Sequence, residues 1–210
     1  MSHPTSGRGA EAARNDEKIL DAARRVFLAD PTRPIAAVAS EAGVGISALY
    51  RRYPSKEVLL RELAADGLAR FNTELERALA SAGDAWTIYC DCLQRVLEGR
   101  SQALAQRLAG TFTPTPALYD LSVSTGDRYA ELHQRTQRAG ALRPDVTTAD
   151  VVLLLEMLSV IDMPGPGGGD ALRRRYLTLM LQSLHASNTQ PLPTPPASDG
   201  DLAARWSPST

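Results

Sequence analysis

The sequence lacks several features that would place it in a common class of protein. Its 210 residues include two cysteines, Cys90 and Cys92, which are too few for a disulfide framework. No apolar run approaches the roughly 18 residues needed to span a bilayer. The first 15 residues have no apolar segment of the kind found in secretory signals. We therefore expect a cytoplasmic protein with no membrane association.

Motifs of common catalytic and cofactor sites are also missing. There is no Gly-rich phosphate loop, no G-x-S-x-G turn and no paired-His zinc motif. His3 lies in a polar N-terminal stretch, and the two cysteines have no further ligands at metal-like spacing. The sequence predicts no enzymatic activity, no cofactor and no metal site.

The overall charge is close to balance, but its distribution is uneven. The net charge of −1 gives no general argument for nucleic-acid binding. Between Ala42 and Lys56, however, the charged residues are Arg51, Arg52 and Lys56, with no acidic residue among them. A small basic patch of this kind can seat a helix on phosphates.

Hydrophobic periodicity of the helical kind runs along most of the chain, without strand-like alternation, and predicts an all-α fold of about nine helices. We predict a disordered arm over residues 1–13, a helix-turn-helix domain over 14–71, a helical domain over 72–186 and a disordered Pro-rich tail over 187–210. The first helix is expected to begin near Asp16 with Asn15 as its N-cap. Later helices are predicted at about 34–42, 46–53, 56–80, 84–98, 101–109, 116–139, 147–162 and 170–185, with a flexible break at 164–169.

The segment from residue 34 to 53 has the pattern of a helix-turn-helix. A short helix ends at Gly43, and a second short helix follows from Ile46 to Tyr53. Leu49 and Tyr53, four residues apart, are expected to face the core. Tyr50 and Arg51 can then face DNA, with Ser47 one turn earlier.

The stretch AGVGISALYRRYPSKEVLL at residues 42–60 resembles the TetR/AcrR family of bacterial regulators, whose DNA-binding domain typically reads IA..AGVS.GTLY.HF.SKE.LL. The resemblance covers roughly residues 14–71, and a second likeness is AGALRPDV at residues 139–146. The chain departs from the family pattern at Pro34, Gly45, Ser47 and Ala48. The matching residues are Phe27, Val38, Ala39, Ala42, Gly43, Val44, Leu49, Tyr50, Tyr53, Ser55, Lys56, Glu57, Leu59 and Leu60.

The resemblance implies roles for the residues of this segment. Tyr50, Arg52 and Lys56 are expected at backbone phosphates, and Ile46 and Ser47 at base edges. Arg51 could reach a phosphate or a guanine. The complete predicted DNA-binding set is Gly45, Ile46, Ser47, Ala48, Tyr50, Arg51, Arg52 and Lys56.

The resemblance also implies that the second domain dimerises through its last two helices and encloses a ligand cavity. The helix near residues 148–162 is apolar almost all round and needs cover on both sides, for which a partner subunit is economical. The predicted dimer residues are Val152, Leu155, Leu158, Tyr176, Met180 and Leu184. The predicted ligand-pocket residues, for which a plain core role is the alternative, are Trp86, Tyr89, Cys90, Leu93, Leu108, Phe112, Tyr129, His133 and Met157.

These expectations combine into one functional hypothesis. The chain is expected to be a transcriptional repressor that binds a pseudo-palindromic operator as a homodimer and responds to an unknown small-molecule effector. The alternatives are a helical adaptor that binds only protein, and a regulator that needs a co-repressor for DNA specificity. An adaptor would bind DNA weakly and without regard to sequence.

Overall fold

The computed structural model describes residues 6–99, 108, 111–161, 163 and 168–197. The chain divides into two compact units, Met1–Leu63 and Ala64–Thr210. The described residues form eight helices and no strand, which confirms the all-α prediction. The helices are α1 (Ser6–Ala29), α2 (Ile35–Ala42), α3 (Ile46–Arg52), α4 (Lys56–Ala80), α5 (Ala85–Gly99), α6 (Pro116–Arg138), α7 (Thr148–Ser159) and α8 (Gly168–Leu184).

The first unit is built around the apolar faces of α1, α2, α3 and the start of α4. Their buried side chains recur at helical spacing, because burial of one stripe per helix stabilises the fold more than local propensity does. Gly43 ends α2 in the left-handed conformation, with φ of 65°, and its N–H bonds back to the helix. The core side chains include Ile19, Ala22, Ala23, Phe27, Ile35, Val38, Leu49, Tyr53, Leu59, Leu60 and Leu63.

The start of the first helix differs from the sequence prediction. Helix α1 begins at Ser6, so Asn15 lies inside the helix rather than at its N-cap. The prediction of disorder for residues 6–13 is therefore wrong, while residues 1–5 lie outside the described part. The alanines at 10, 12 and 13 are strong helix formers, and they extend the helix without any apolar periodicity that a sequence pattern could detect.

In the second unit, α5, α6, α7 and α8 surround one hydrophobic core. Two side chains of this unit cap its helices: the Asp84 carboxylate accepts from the N–H of Thr87 at 2.7 Å, and Thr147 forms a reciprocal capping box with Asp150. In the first unit, Ser55 Oγ accepts from Val58 N at 3.2 Å at the start of α4. The core includes Phe71, Leu75, Tyr89, Leu93, Leu97, Tyr129, Leu132, Leu142, Val151, Leu155, Leu177 and Leu184.

The AGALRPDV junction fastens the C-terminal end of α8. Gly140, at φ of 70°, turns the chain after α6. Arg143 N then donates to the carbonyl of Leu184 at 3.1 Å, and its guanidinium binds Asp145 and the carbonyl of Gln190, each at 2.7 Å. The junction therefore joins α6 to the end of α8, and it holds the beginning of the C-terminal segment.

The remaining predictions fall partly outside the described residues. Of the helix expected at 101–109, the described part contains only Leu108, which is helical. Most of the flexible break expected at 164–169 also lies outside the described residues, but α8 already begins at Gly168. Residues 187–197 form neither helix nor strand, and residues 198–210 lie outside the described part. The domain boundaries at 13, 71 and 186 stay predictions.

Candidate DNA-binding surface and regulatory core

Helix α3 presents one face to the core of its unit and the other to solvent. Leu49 and Tyr53 are fully buried, as the four-residue spacing predicted. Ile46 and Tyr50 are 42% and 46% exposed, although both are large and Ile46 is apolar. Ser47 and Arg51 are exposed as well, so a side chain with hydrogen-bonding capacity stands on each turn of the outer face.

The turn between α2 and α3 is made by Gly43, Val44 and Gly45. Gly45 is the N-cap of α3, with extended φ and ψ of −65° and 137°, and it provides no side-chain cap. Pro34 is the N-cap of α2 and also makes no side-chain capping bond, although the sequence favoured it as the first helical residue. Ala48 is half-buried beneath the exposed face. The α2 and α3 N-termini therefore keep backbone N–H groups that no capping side chain occupies.

Arg52 has an intramolecular partner that the sequence did not indicate. Its Nε donates to both carboxylate oxygens of Asp16 in α1, at 2.9 and 3.0 Å. The guanidinium carbon also lies 5.2 Å from the centre of the Tyr53 ring. The hydrogen bond that Arg52 donates to Asp16 raises the pKa of Arg52, which therefore stays charged. Asp16 lies 36 residues before Arg52, a separation at which no sequence pattern signals a contact.

Lys56 turns toward its own unit. Its Nζ donates to the carbonyl of Pro31 at 2.7 Å and lies 5.1 Å from the centre of the Phe27 ring. The side chain therefore ties the start of α4 to the loop after α1. A phosphate contact for Lys56 stays a prediction, and it would have to share the ammonium group with Pro31.

A buried polar chain crosses the core of the second unit. His133 Nε2 lies 2.9 Å from the carbonyl of Val146, which can only accept, so Nε2 carries the proton. His133 Nδ1 then accepts from the Tyr89 hydroxyl at 3.0 Å, and the Tyr89 oxygen accepts from the Tyr129 hydroxyl at 3.0 Å. This Tyr129–Tyr89–His133 chain links α5, α6 and the loop before α7.

Burial determines the protonation states of these groups. Desolvation lowers the pKa of His133 and raises the pKa values of Tyr89 and Tyr129, so all three are neutral near pH 7. Each side chain has a partner within the chain. All three side chains are buried in the core, and their part in a ligand pocket stays a prediction.

The other predicted pocket residues are divided between the core and the surface. Leu93, Leu108 and Phe112 are buried. Trp86 and Cys90 instead line an open groove of about 530 Å³ between α5 and α8, together with Leu181 and His185. The Trp86 and His185 rings meet edge to face with centroids 4.9 Å apart. Burial raises the pKa of Cys90 to about 11, so its thiol is protonated at neutral pH.

Met157 does not belong to an interior pocket. Its side chain is 66% exposed on α7, which contradicts the sequence prediction. The apolar residues of α7 extend all round the helix, so the pattern could not show which of them face inward.

The predicted dimer residues also need correction. Val152, Leu155, Met180 and Leu184 are buried in the core of their own chain, Leu158 is half-buried, and Tyr176 is exposed. The large apolar side chains that α7 and α8 leave exposed are Met157, Val160, Tyr176 and Leu179. Met157 and Val160, the C-cap of α7, are three residues apart, as are Tyr176 and Leu179 on α8. The half-buried Leu153 and Leu172 each lie four residues before the first member of these pairs. Because apolar residues surround α7, this spacing alone could not separate the exposed face from the buried one.

The described part of the chain bears on two other kinds of feature, membrane-spanning helices and metal centres. No helix there is long and apolar enough to cross a membrane. The same residues contain no cluster of three or more His, Cys, Asp or Glu side chains suited to a metal ion.

Two family models match the chain. Residues 19–63 match the bacterial regulatory proteins of the tetR family. Residues 81–186, more than half of the 210 residues, match the C-terminal domain of SbtR-like transcriptional regulators. The first match contains α2 and α3, and the second contains the buried polar chain and the exposed faces of α7 and α8.

Individual relatives agree with these matches. The HTH-type transcriptional repressor LfrR of Mycolicibacterium smegmatis is 36% identical over 100 residues, which cover 48% of this chain and 50% of LfrR. The alignment with this relative thus spans about half of its length.

Solved structures extend the similarity to most of the chain. The structure of LfrR from Mycobacterium smegmatis in complex with proflavine has a TM-score of 0.55 at 25% identity, covering 87% of this chain and 99% of LfrR. The regulator SCO0520 from Streptomyces coelicolor has a TM-score of 0.52 at 25% identity, covering 81% and 98%. Since both its N-terminal and its C-terminal parts match models of this kind, the chain belongs to the TetR family of bacterial regulatory proteins.

Proposed function

We propose that this chain is a sequence-specific DNA-binding repressor that acts as a homodimer on a pseudo-palindromic operator and is released by a small-molecule effector. The observation that carries the proposal is the outer face of α3. A helix of seven residues keeps Ile46 and Tyr50 exposed, beside Ser47 and Arg51, while Leu49 and Tyr53 anchor it. Exposed apolar groups and hydrogen-bond donors on a short helix are suited to contacts with the base edges and thymine methyl groups of a major groove.

The expected contacts divide into two kinds. Ile46 and Ser47 stand at the N-terminal end of α3, which is the end that reaches base edges in helix-turn-helix proteins, and Ile46 suits a thymine methyl group. Tyr50 and Arg51 lie one turn further and suit phosphates, or a guanine in the case of Arg51. Gly45 and Ala48 add little side-chain volume, so the DNA backbone can approach the turn closely.

The exposed apolar side chains at α7 and α8 support dimerisation. Met157, Val160, Tyr176 and Leu179 are each 44% to 66% exposed, and they lie on two helices of the same unit. A two-fold arrangement of these helices with those of a second copy covers both faces at once. Two copies of α3 in one dimer favour an operator with two related half-sites.

The effector is proposed to act in the second unit. The relative LfrR is in complex with proflavine in its solved structure. In this chain the Tyr129–Tyr89–His133 chain occupies the core, so an interior ligand must replace its hydrogen bonds. Binding there would shift the population toward a dimer that fits the operator poorly. Proflavine is a reasonable first probe because it is the ligand of a relative.

The proposal is tested by selecting binders from random duplex DNA with the purified protein and titrating the winner against its scrambled sequence by fluorescence anisotropy. A palindromic winner bound about 1,000-fold or more tightly than scramble at physiological salt is the expected result. Tyr50→Phe and Arg51→Ala should weaken this binding, whereas Arg175→Ala, an exposed residue of α8, should not. Weak binding without sequence preference would contradict the proposal and favour a protein-binding adaptor.

A further inference from the structure

Arg52 is expected at a DNA phosphate, yet it already forms an ion pair with Asp16 within its own chain. Both carboxylate oxygens of Asp16 accept from Nε, the nitrogen nearest the side-chain stem, at 2.9 and 3.0 Å. The Arg52 side chain nevertheless keeps 55% of its surface exposed. An arginine has five N–H donors, of which Nε provides one and the two terminal nitrogens provide four.

We propose that Asp16 is a positioning residue of the DNA-binding surface, which grips Arg52 by Nε and directs its terminal nitrogens to a backbone phosphate beside α3. This inference rests on the proposed function. It adds to the surface a residue of α1 that lies outside the helix-turn-helix and has no direct contact with DNA.

The geometry gives a reason for such a residue. Arg52 is the last residue of α3, where an arginine with no neighbours would sample many rotamers. Asp16 binds the guanidinium through Nε, and the guanidinium carbon lies 5.2 Å from the centre of the Tyr53 ring. A guanidinium that is already held loses less conformational entropy when it binds a phosphate, because the ordering has occurred during folding.

The negative charge of Asp16 acts in the opposite direction. A carboxylate near DNA repels phosphates, and it competes with them for the same guanidinium. At an exposed site this repulsion is screened by salt over about 8 Å at physiological ionic strength. The direct bonds to Nε persist at that salt, and they leave the terminal nitrogens available. We therefore expect the positioning effect to exceed the repulsion.

The test compares Asp16→Ala, Arg52→Ala and the double variant in anisotropy titrations with the selected duplex. Asp16→Ala should weaken binding about two- to tenfold, the range expected when one long side chain must be ordered on binding. Arg52→Ala should weaken binding more. It should also flatten the salt dependence by about 0.9 per subunit, because a phosphate contact is lost. Asp16→Ala should keep the wild-type salt dependence. The double variant should bind DNA as weakly as Arg52→Ala alone, because Asp16 acts only through Arg52.

Two control variants separate positioning from other effects. Glu17→Ala removes a neighbouring exposed carboxylate that takes no part in the Arg52 pair, and it should bind DNA as tightly as wild type or slightly more tightly. Glu41→Gln breaks the comparable ion pair of Arg25 with Glu41, at 2.8 Å between α1 and α2, and it should leave DNA affinity unchanged. Circular dichroism and thermal melting of every variant report whether the fold is intact.

Three results would overturn the inference. One is Asp16→Ala binding as tightly as wild type or more tightly, which would make Asp16 a competitor of phosphate. Another is an equal loss of DNA affinity in Asp16→Ala and Arg52→Ala with an unchanged salt dependence, which would mean that the ion pair only stabilises the fold. A wild-type protein without specific DNA binding would overturn the proposed function as well, whereas the first two results would leave that function standing.

Discussion

At the scale of single residues, the buried Tyr129–Tyr89–His133 chain shows how one hydroxyl can support two neighbours. The Tyr89 hydroxyl donates to His133 and accepts from Tyr129, whereas Tyr129 serves only one neighbour in this chain. Loss of a buried partner costs the desolvation of each group that is left without one. The two tyrosines are therefore unequal in their contribution to stability.

We predict that Tyr89→Phe lowers the free energy of unfolding by about 2–4 kcal/mol and that Tyr129→Phe lowers it by about 1 kcal/mol. Both variants keep the aromatic ring and its packing, so the difference reports the hydroxyl groups. Urea unfolding followed by circular dichroism measures it. Equal losses in the two variants would contradict the assigned direction of the chain.

The protonation of His133 predicts a dependence of stability on pH. Burial lowers its pKa in the folded state below the ordinary value of 6.5, so the unfolded state binds a proton first as the pH falls. Stability is therefore fully present above pH 6.5 and decreases as the pH falls from 6.5 toward the lowered pKa.

The measurement is the free energy of unfolding between pH 7.5 and 5 for wild type, His133→Gln and His185→Gln. The decrease should be smaller in His133→Gln, because its side chain does not titrate. His185→Gln is the matched control, since it removes an imidazole and leaves the His133 bonds intact. An identical decrease in all three proteins would contradict the prediction.

At the scale of elements, the turn between α2 and α3 requires glycine at one position and not at the other. Gly43 has φ of 65°, a conformation that costs a residue with a side chain about 1 kcal/mol. Gly45 has an extended backbone, and a Cβ there would have no atom within 4 Å. The two glycines are two positions apart in the sequence, yet their backbone requirements differ.

We predict that Gly43→Ala lowers the free energy of unfolding by about 1–2 kcal/mol. Gly45→Ala should change it by less than about 1 kcal/mol, because the reduced freedom of the unfolded chain is offset by the poorer N-cap that alanine provides. Thermal unfolding of the two variants provides the comparison. A larger loss for Gly45→Ala than for Gly43→Ala would contradict this account of the turn.

At the scale of the whole molecule, the exposed apolar side chains of α7 and α8 determine the expected assembly. We predict that Leu179→Asp shifts the protein from dimer to monomer, because a buried carboxylate without a partner is costly in an apolar interface. Sedimentation velocity measures the shift. Thr178→Asp is the matched control, since it adds the same charge to the neighbouring exposed position, which lines the groove beside Trp86. If Leu179→Asp sediments as wild type does, these helices do not form the interface.

The sequence determined the class of fold and the family through features that are local in the chain. Periodicity, caps such as Thr147 and Asp84, and the turn at Gly43 depend on residues within one helical turn of each other, so the pattern contains the required information. The inward orientation of Leu49 and Tyr53 follows from the same spacing.

Only the tertiary structure decided which partners distant residues have. The pairing of Asp16 with Arg52 and the bonds among Tyr89, Tyr129 and His133 join residues that are tens of positions apart in the sequence. The inward side of α7 was undetermined for a related reason: its apolar residues surround the helix, so Val152 and Met157 are equivalent in the pattern. Packing against α5, α6 and α8 buries Val152 and leaves Met157 exposed, because only one side of a helix can face a given core.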